Sequence, residues 1–315
     1  MRLIITVEYA GQRIDNYLIA QVKGIPRSRI YKALRSGEIR VNSRRIKPPY
    51  RLQEGDQVRL PPWRPEATPT RQTPLHLQKL LQEAVVYEAP GWMILNKPTG
   101  LAVHGGTEVS STVIDTLRAA KPGWQKAELV HRLDKATSGC LLVAKKHSAL
   151  RALQAQFREA EGVEKLYLAL VKGRLAKRQT VDVPLIKNHL QGGERVVQVS
   201  AEGKTALSIF EPLQHFSLAT LVLVRLKTGR THQIRVHGAH IGHPIAGDEK
   251  YGDKEFNRRM KDAGLKRLFL HSAGLRFQDP ASGAPFGLCI PLEKVLQAFL
   301  RTLTEKLAKA KLRGS

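Results

Sequence analysis

The chain has 315 residues, with 52 Lys and Arg against 27 Asp and Glu, giving a formal net charge of +25. Hydrophobic residues are 42% and charged residues 25%, which excludes wholesale disorder and a collagen-like fibre and suits about two domains. No apolar run approaches the roughly 18–20 residues that a bilayer-crossing helix needs, and Met1–Thr6 lacks the apolar core of a signal peptide. Cys140 and Cys289 are too few for a disulfide framework or a four-ligand zinc site, so a reducing cytoplasm is expected. The charge itself points to a polyanionic partner, nucleic acid before membrane surface.

The charge is uneven. Residues 1–64 carry 14 Lys and Arg against 5 Asp and Glu, about twice the net positive density of the remainder. Within them Ile14, Leu18 and Ile19 recur at helical spacing, with Gly24 as a stop. A second helix opens at Pro26 and Ser28, carries Ile30 and Leu34 as its apolar stripe, and closes at Gly37. Arg27, Arg29, Lys32 and Arg35 fall on its outside. Short strands are predicted at Glu38–Val41 and Gln57–Leu60, with a basic loop, Arg44, Arg45 and Lys47, between them. Two helices followed by small strands, with this basic face, resemble the S4-type RNA-binding module. Such charge gives phosphate affinity without sequence information. The proline-rich stretch Pro61–Pro74 then reads as a linker, because fixed φ angles and missing donors oppose helix and inner strand.

From Leu80 the pattern changes to strands interleaved with helices. AVVYEAPGWMILNKPTGLAVHGG reads as two strands joined at Pro90–Gly91, and Gly105–Gly106 as a turn rather than a phosphate-cradling loop. In ELVHRLDKATSGCLLVAKK a polar loop, His131–Gly139, precedes a buried strand, Cys140–Ala144. Its one carboxylate, Asp134, stands between Arg132 and Lys135. A loop between core strands presents a side chain from a rigid base, where catalytic groups commonly sit. HSALRALQAQFREAEG carries Leu150, Leu153 and Phe157 at helical spacing, a core-facing helix. In KLYLALV, alternation sets Tyr167, Ala169 and Val171 on one face, a large ring beside a small residue. Thr228–Gly229 reads as a turn, and Thr231 as the cap of a helix to about Ile241, ended by Gly242, with Arg235 one turn in. His237, His240 and His243 are evenly spaced, but helical geometry spreads them around the axis, so no metal is expected there. Cys140 opens an apolar strand and reads as a buried structural thiol.

HRLDKATSG resembles the signature of the RluA-type pseudouridine synthase family. KLYLALVKG, LKTGRTHQIRVHGAHIGHPIAGDEKYG, NKPTGLAVH and RLFLH fit the same family in order, and some members carry an N-terminal S4 domain, so the resemblance spans essentially the whole chain. It implies an α+β protein in which a small S4-type domain (1–64) precedes a proline-rich linker (65–79). A catalytic domain with a mostly antiparallel mixed sheet (80–303) and a basic flexible tail (304–315) follow. It implies that uridines of 23S ribosomal RNA, or of a large-subunit assembly intermediate, are isomerised to pseudouridine by a cytoplasmic monomer with no membrane partner.

The resemblance makes Asp134 the catalytic carboxylate and Arg235 the cation that keeps it ionised. It makes Tyr167 the surface on which the target base stacks, and Arg132 the group that fills the vacancy left by the flipped base. The reaction exchanges a C1′–N1 bond for C1′–C5 without redox change or group transfer, so no cofactor or metal is expected. Asp134 can act by attack on C1′ or by removing a sugar proton, and both routes stay open. A catalytically silent ribosome-associated RNA-binding protein and a metal-dependent nuclease built on Asp134 and the histidines are the alternatives.

Overall fold

The computed structural model describes residues 1–22, 24–63, 73–103, 111–159, 162–189 and 195–312, with the side chains of the last helix described to residue 305. It divides into two units, Met1–Gln72 and Thr73–Ser315. In the first unit β1 (Arg2–Ile4) is followed by α1 (Ile14–Gln21) and α2 (Arg27–Ser36), then β2 (Arg40–Val41), β3 (Arg44–Arg45) and β4 (Gln57–Arg59). The four strands pair antiparallel in the order β1-β4-β2-β3. Ile14, Leu18, Ile30 and Leu34 from the helices meet Ile39, Val41 and Val58 in one small core. Gly37 ends α2 in the left-handed conformation at φ +76°, which a residue with a Cβ adopts only at a cost.

Two strands here were not foreseen. Arg44 and Arg45, expected in a loop, form β3, because Asn42 and Ser43 both take positive φ and close a two-residue hairpin. The Asn42 side-chain amide donates to buried Asp56, which also accepts from the Tyr50 hydroxyl and the Gln53 backbone. The side-chain anchor offsets the backbone strain.

The second unit starts with α3 (Leu75–Glu83), inside the segment expected as linker, and Leu81 packs into the main core. It continues through β5 (Val85–Glu88), β6 (Trp92–Lys97), α4 (Val113–Ala120), β7 (Glu128–Leu129), β8 (Ser138–Ala144), α5 (His147–Arg158), β9 (Glu164–Lys172) and β10 (Gln179–Asp182). A hairpin of β11 (Leu185–His189) and β12 (Arg195–Val199) precedes β13 (Leu207–His215), β14 (Ala219–Leu226) and α6 (Gln233–His240). Last come α7 (Lys254–Asp262), β15 (Leu270–Gln278), β16 (Pro285–Cys289) and α8 (Lys294–Leu312). The helix α8 runs on through the stretch expected to be a flexible tail. Near its start Leu296 and Phe299 are buried in a cluster that also holds Phe269 and, from α7, Phe256 and Met260. The Gly105–Gly106 turn and residues 64–72 of the expected linker lie outside the described residues.

Ten strands form one mixed sheet with main path β10-β13-β14-β9-β15-β8-β6-β5; β16 pairs with β15 and β7 with β8. The β8–β15 pair is parallel and the other described pairs are antiparallel, so this is the α+β fold with a mostly antiparallel sheet. Alternation along β8 divides the core: Leu141 and Val143 join the cluster with α3 and α4, whereas Cys140, Leu142 and Ala144 join the one with α5. The short β8–β15 pairing sits beneath the polar loop His131–Gly139. Gly139 there has φ +102°, and a Cβ on it would lie 2.1 Å from the Ser272 carbonyl oxygen, so only glycine permits the approach. Among the described residues no helix is long and apolar enough to cross a membrane.

Candidate active site

The loop joining β7 to β8 is held from three directions. Lys97, buried at the end of β6, donates to the Pro98 and Leu101 carbonyls at 2.9 and 3.0 Å and reaches the Lys135 carbonyl at 3.4 Å. The Thr99 hydroxyl donates to the Ala136 carbonyl, and the Gly100 N–H to that of Lys135. From the far side Arg267 donates to the Ala136 carbonyl and the Ser138 hydroxyl, while its other nitrogen is paired with Glu293. The segments NKPTG and RLFLH, which carry no catalytic role in the sequence reading, thus clamp the backbone immediately after Asp134. Burial, reinforced by the charge of Arg267, pushes the Lys97 ammonium down to about 8.

Within this frame the loop alternates. Leu133 is buried in the main core, Arg132 is exposed, and Asp134, 19% exposed, lines a cavity of about 280 Å³. Arg132, Asp134, Tyr167 and Arg235 all line this one cavity. Tyr167 comes from β9, whose alternation turns Tyr167, Ala169 and Val171 toward the main core as expected. Its ring is 8% exposed, and burial raises its hydroxyl above the ordinary tyrosine value. His131, which opens the loop, serves the frame instead. It stacks on Phe157, its Nε2 accepts from the Leu142 N–H, and burial lowers it to about 3.

Arg235 sits in the first turn of α6. That helix starts later than predicted: its N-cap is His232, at φ +54°, rather than Thr231. The reason is Gln233, 2% exposed, whose side-chain oxygen accepts from the Thr228 hydroxyl and the Arg230 N–H. Its amide donates to the Leu207 carbonyl and the Ser208 hydroxyl. The turn before the helix is therefore fixed by a buried side chain, and the left-handed residue, a conformation to which histidine is more tolerant than most, completes it.

The guanidinium of Arg235 is divided between two carboxylates. Nε and Nη2 each donate to Asp248 at 2.7 Å, and Nη1 faces Asp134 Oδ2 at 3.7 Å. Asp248 is fully buried and also accepts from the Lys250 and Tyr251 N–H groups. Burial opposes both charges, yet their mutual hydrogen bonds prevail, holding Asp248 below the usual carboxylate value and Arg235 above its own. The Tyr251 ring lies 5.0 Å beneath the guanidinium carbon. Its hydroxyl accepts from the Val197 N–H and is 2.8 Å from His232 Nδ1, while His232 Nε2 lies 3.8 Å from Asp134. Burial lowers the basicity of His232, against the opposing pull of the nearby Asp134 charge.

Asp248, Tyr251, His232, Lys97 and Arg267 were not among the predicted site residues. A usable signal was present for Asp248. An acid in GDEKYG directly after the apolar run at Pro244–Ala246 is a carboxylate about to be buried, and buried carboxylates require a partner. The histidines considered for a metal diverge. His237 is bonded to Ser208 and the Val183 carbonyl, and His243 to the Lys172 carbonyl. Cys140 is buried, which raises its thiol to about 12 and leaves it without thiolate character.

On the first unit Arg27, Lys32, Arg35, Arg44, Arg45 and Lys47 are exposed, as a phosphate-binding surface requires. Arg29 differs. Its guanidinium makes a two-pronged contact with Glu38 at 3.1 and 2.8 Å, so part of its charge is spent within the protein.

Comparison with known proteins agrees with this geometry. A sequence model of the RNA pseudouridylate synthase family matches residues 91–240, and one of the S4 domain matches residues 12–58. Ribosomal large subunit pseudouridine synthase C of Salmonella typhi is 50% identical over 307 residues, covering 96% of both chains. The protein of the same name from Escherichia coli K12 is 50% identical over 304 residues, covering 95% of each. The chain belongs to the RNA pseudouridylate synthase family. Among solved structures, Human RNA Pseudouridylate Synthase Domain Containing 4 superimposes with a TM-score of 0.60 at 26% identity, over 73% of this chain and 96% of that one. As an RNA pseudouridine synthase the chain is an isomerase, and its two units correspond to an S4 module and a synthase domain.

Proposed function

We propose that this synthase isomerises uridines of large-subunit ribosomal RNA to pseudouridine. It would act as a cytoplasmic monomer that needs no cofactor or metal and engages no membrane. The observation that carries the reading is the Asp134 carboxylate, set in a cavity against Arg235 Nη1 and sharing that cavity with the Tyr167 ring. The relatives named for the large ribosomal subunit, matched along nearly the whole chain, supply the substrate class.

The chemistry follows from the groups present. A uridine inside folded RNA is out of reach of Asp134, so it must be extruded, at a cost of a few kcal/mol. Arg132, exposed and lining the cavity, can enter the vacancy, where a planar guanidinium stacks and donates at once. Tyr167 offers its face to the uracil. Asp134 then either attacks C1′ or removes a sugar proton, and the C1′–N1 electrons pass to the base. The detached uracil turns, C5 bonds to C1′, the C5 proton leaves, and N1 takes up a proton, so nothing is gained or lost. Arg235 Nη1, 3.7 Å from Asp134 Oδ2, sets a fixed cation against the carboxylate where the reaction would take place. Asp248 orients that cation. On the S4 unit, the exposed cations of α2 and of the segment Arg44–Lys47 supply contacts to phosphate.

Asp134→Asn tests this, since it keeps the shape and removes the charge. Conversion of uridine, read as carbodiimide-dependent reverse-transcription stops on large-subunit RNA, is expected to fall by about 10²–10⁴-fold or more, with the unfolding midpoint retained. A variant that still converts would remove Asp134 from the reaction. A wild type that binds this RNA without converting it would leave an RNA-binding protein.

A further inference from the structure

Behind the turn that carries Gly229, Arg230 and Thr231 lies a second cavity, of about 460 Å³. The same three residues line the active-site cavity, so the two spaces share a wall one turn of chain thick. That wall is rigid. Buried Gln233 holds its Thr228 hydroxyl and Arg230 N–H, and Arg230 Nε donates to the Thr205 carbonyl at 2.9 Å. It is also low at one point, since a Cβ on Gly229 would meet nothing within 4 Å.

The second cavity is built rather than incidental. Leu185 and Val197, both buried, supply an apolar lining from the two strands of the β11–β12 hairpin. Leu185 and Lys204 exchange two backbone hydrogen bonds of 2.9 Å, so the chain bearing Lys204 is tied directly to the hairpin. Gly203 makes that approach possible, because a Cβ there would fall 2.6 Å from the Leu185 backbone. Lys187 and Lys204 are exposed and line the cavity together with Arg230. Glu202, also lining it, disfavours a bare anion but can accept from a ring or exocyclic N–H. Apolar side chains that pack on a base, three cations and one acceptor suit a whole nucleotide better than phosphate alone.

We propose that this cavity holds the nucleotide next to the extruded uridine in the chain, its base against Leu185 and Val197 and its phosphate facing Lys187, Lys204 and Arg230. The connecting phosphodiester crosses the wall at Gly229. The site thereby reads which uridine enters the active-site cavity, since only a uridine whose neighbour is unstacked fills both. This inference rests on the assignment of RNA as the substrate of the Asp134 cavity.

The test is a binding cycle in the Asp134→Asn background, so that the RNA is not converted during titration. The probes are one large-subunit RNA transcript and two copies of it made abasic at the nucleotide 5′ or 3′ of a uridine that the wild type converts. Each is titrated with Asp134→Asn alone and with Lys187→Ala and Lys204→Ala added. Loss of the neighbouring base at one of the two positions should weaken binding by about 4-fold or more, the scale of losing the burial of roughly one CH₂. In the triple variant the same abasic change should cost no more than about two-fold, because a nucleotide whose phosphate is no longer held by Lys187 and Lys204 does not keep its base against Leu185 and Val197. An abasic penalty equal in both proteins, or absent at both positions, would overturn the subsite. Because the cycle reads affinity, it does not depend on turnover. Failure of the proposed activity would show instead as a wild type that leaves the unsubstituted transcript unmodified.

Discussion

Arg29 in the S4 unit and Arg235 in the synthase unit use the same two-pronged fork to different ends. Arg29 meets Glu38 with side chains 41% and 35% exposed, whereas Arg235 meets Asp248 with side chains 11% and 0% exposed. In water such a pair is worth little, because solvent and salt compete and two long side chains lose freedom. Under cover neither charge has water to return to, so each depends on the other. The buried fork also fixes direction. With Nε and Nη2 committed to Asp248, Nη1 is left aimed at Asp134. The surface pair tunes a field, and the buried pair fixes the geometry proposed for catalysis.

Removing one carboxylate breaks this contrast most sharply in the buried case. Asp248→Asn leaves Arg235 charged, buried and half-partnered, and is expected to cost about 3–5 kcal/mol of folding stability by denaturant titration. Where the variant remains folded, turnover should fall at least about ten-fold, the size of a mispositioned electrostatic partner, because Arg235 is then drawn toward Asp134. Asp248 is held below its unfolded value, so its stabilisation is present above pH ~4 and lost as the pH falls through the folded value. The difference between wild type and variant should therefore shrink in acid. A constant difference from neutral to acid pH would mean that packing, not charge, is what Asp248 contributes.

Lys97 is a second buried cation, facing backbone carbonyls instead of a carboxylate. Its folded value of about 8 lies below the ~10.4 of an exposed lysine. Between these values the unfolded chain keeps a proton that the folded chain has released, so stability rises with pH across that window. The full effect is at most about 3 kcal/mol. Lys97→Met should lose this rise, which melting curves at pH 8 and pH 10 would detect. Parallel wild-type and variant curves would place the ionisation elsewhere.

The contrast between the two arginines also explains what could be read from the chain in advance. The helices of the S4 unit, the β9 alternation that turns Tyr167 inward, and Asp134 at the head of a loop before a buried strand are local patterns. Periodicity and turn chemistry report such patterns directly. The hairpin strand at Arg44–Arg45 was hidden because Asn42–Ser43 looks like polar loop until both residues are seen at positive φ. The start of α6 was displaced because the competition between Thr231 and His232 is decided by Gln233, whose buried amide is anchored on Leu207 and Ser208, 26 and 25 residues away. Arg267 escaped for the same reason, because it holds Ala136, 131 residues away. Lys97 bonds most closely to Pro98 and Leu101, and Asp248 lies 13 residues from Arg235, so what hid these two was burial rather than distance along the chain. Composition located the charge, whereas burial decided which charges had to be paired.

At the exposed end the prediction reverses sign. Arg29→Ala and Glu38→Gln, combined in a double-mutant cycle, should couple by only about 0.2–1 kcal/mol, and less at high salt. Glu38→Gln alone should then release Arg29 toward RNA phosphate. Binding of large-subunit RNA should tighten at low salt, and its dependence on log salt should steepen by about 0.7–0.9, the increment for one additional phosphate contact. Loss of a carboxylate would thus weaken the synthase unit at Asp248 and strengthen the S4 unit at Glu38. An unchanged salt slope in Glu38→Gln would mean that Arg29 faces no phosphate, and that the RNA-facing surface of α2 is carried by Arg27, Lys32 and Arg35 without it.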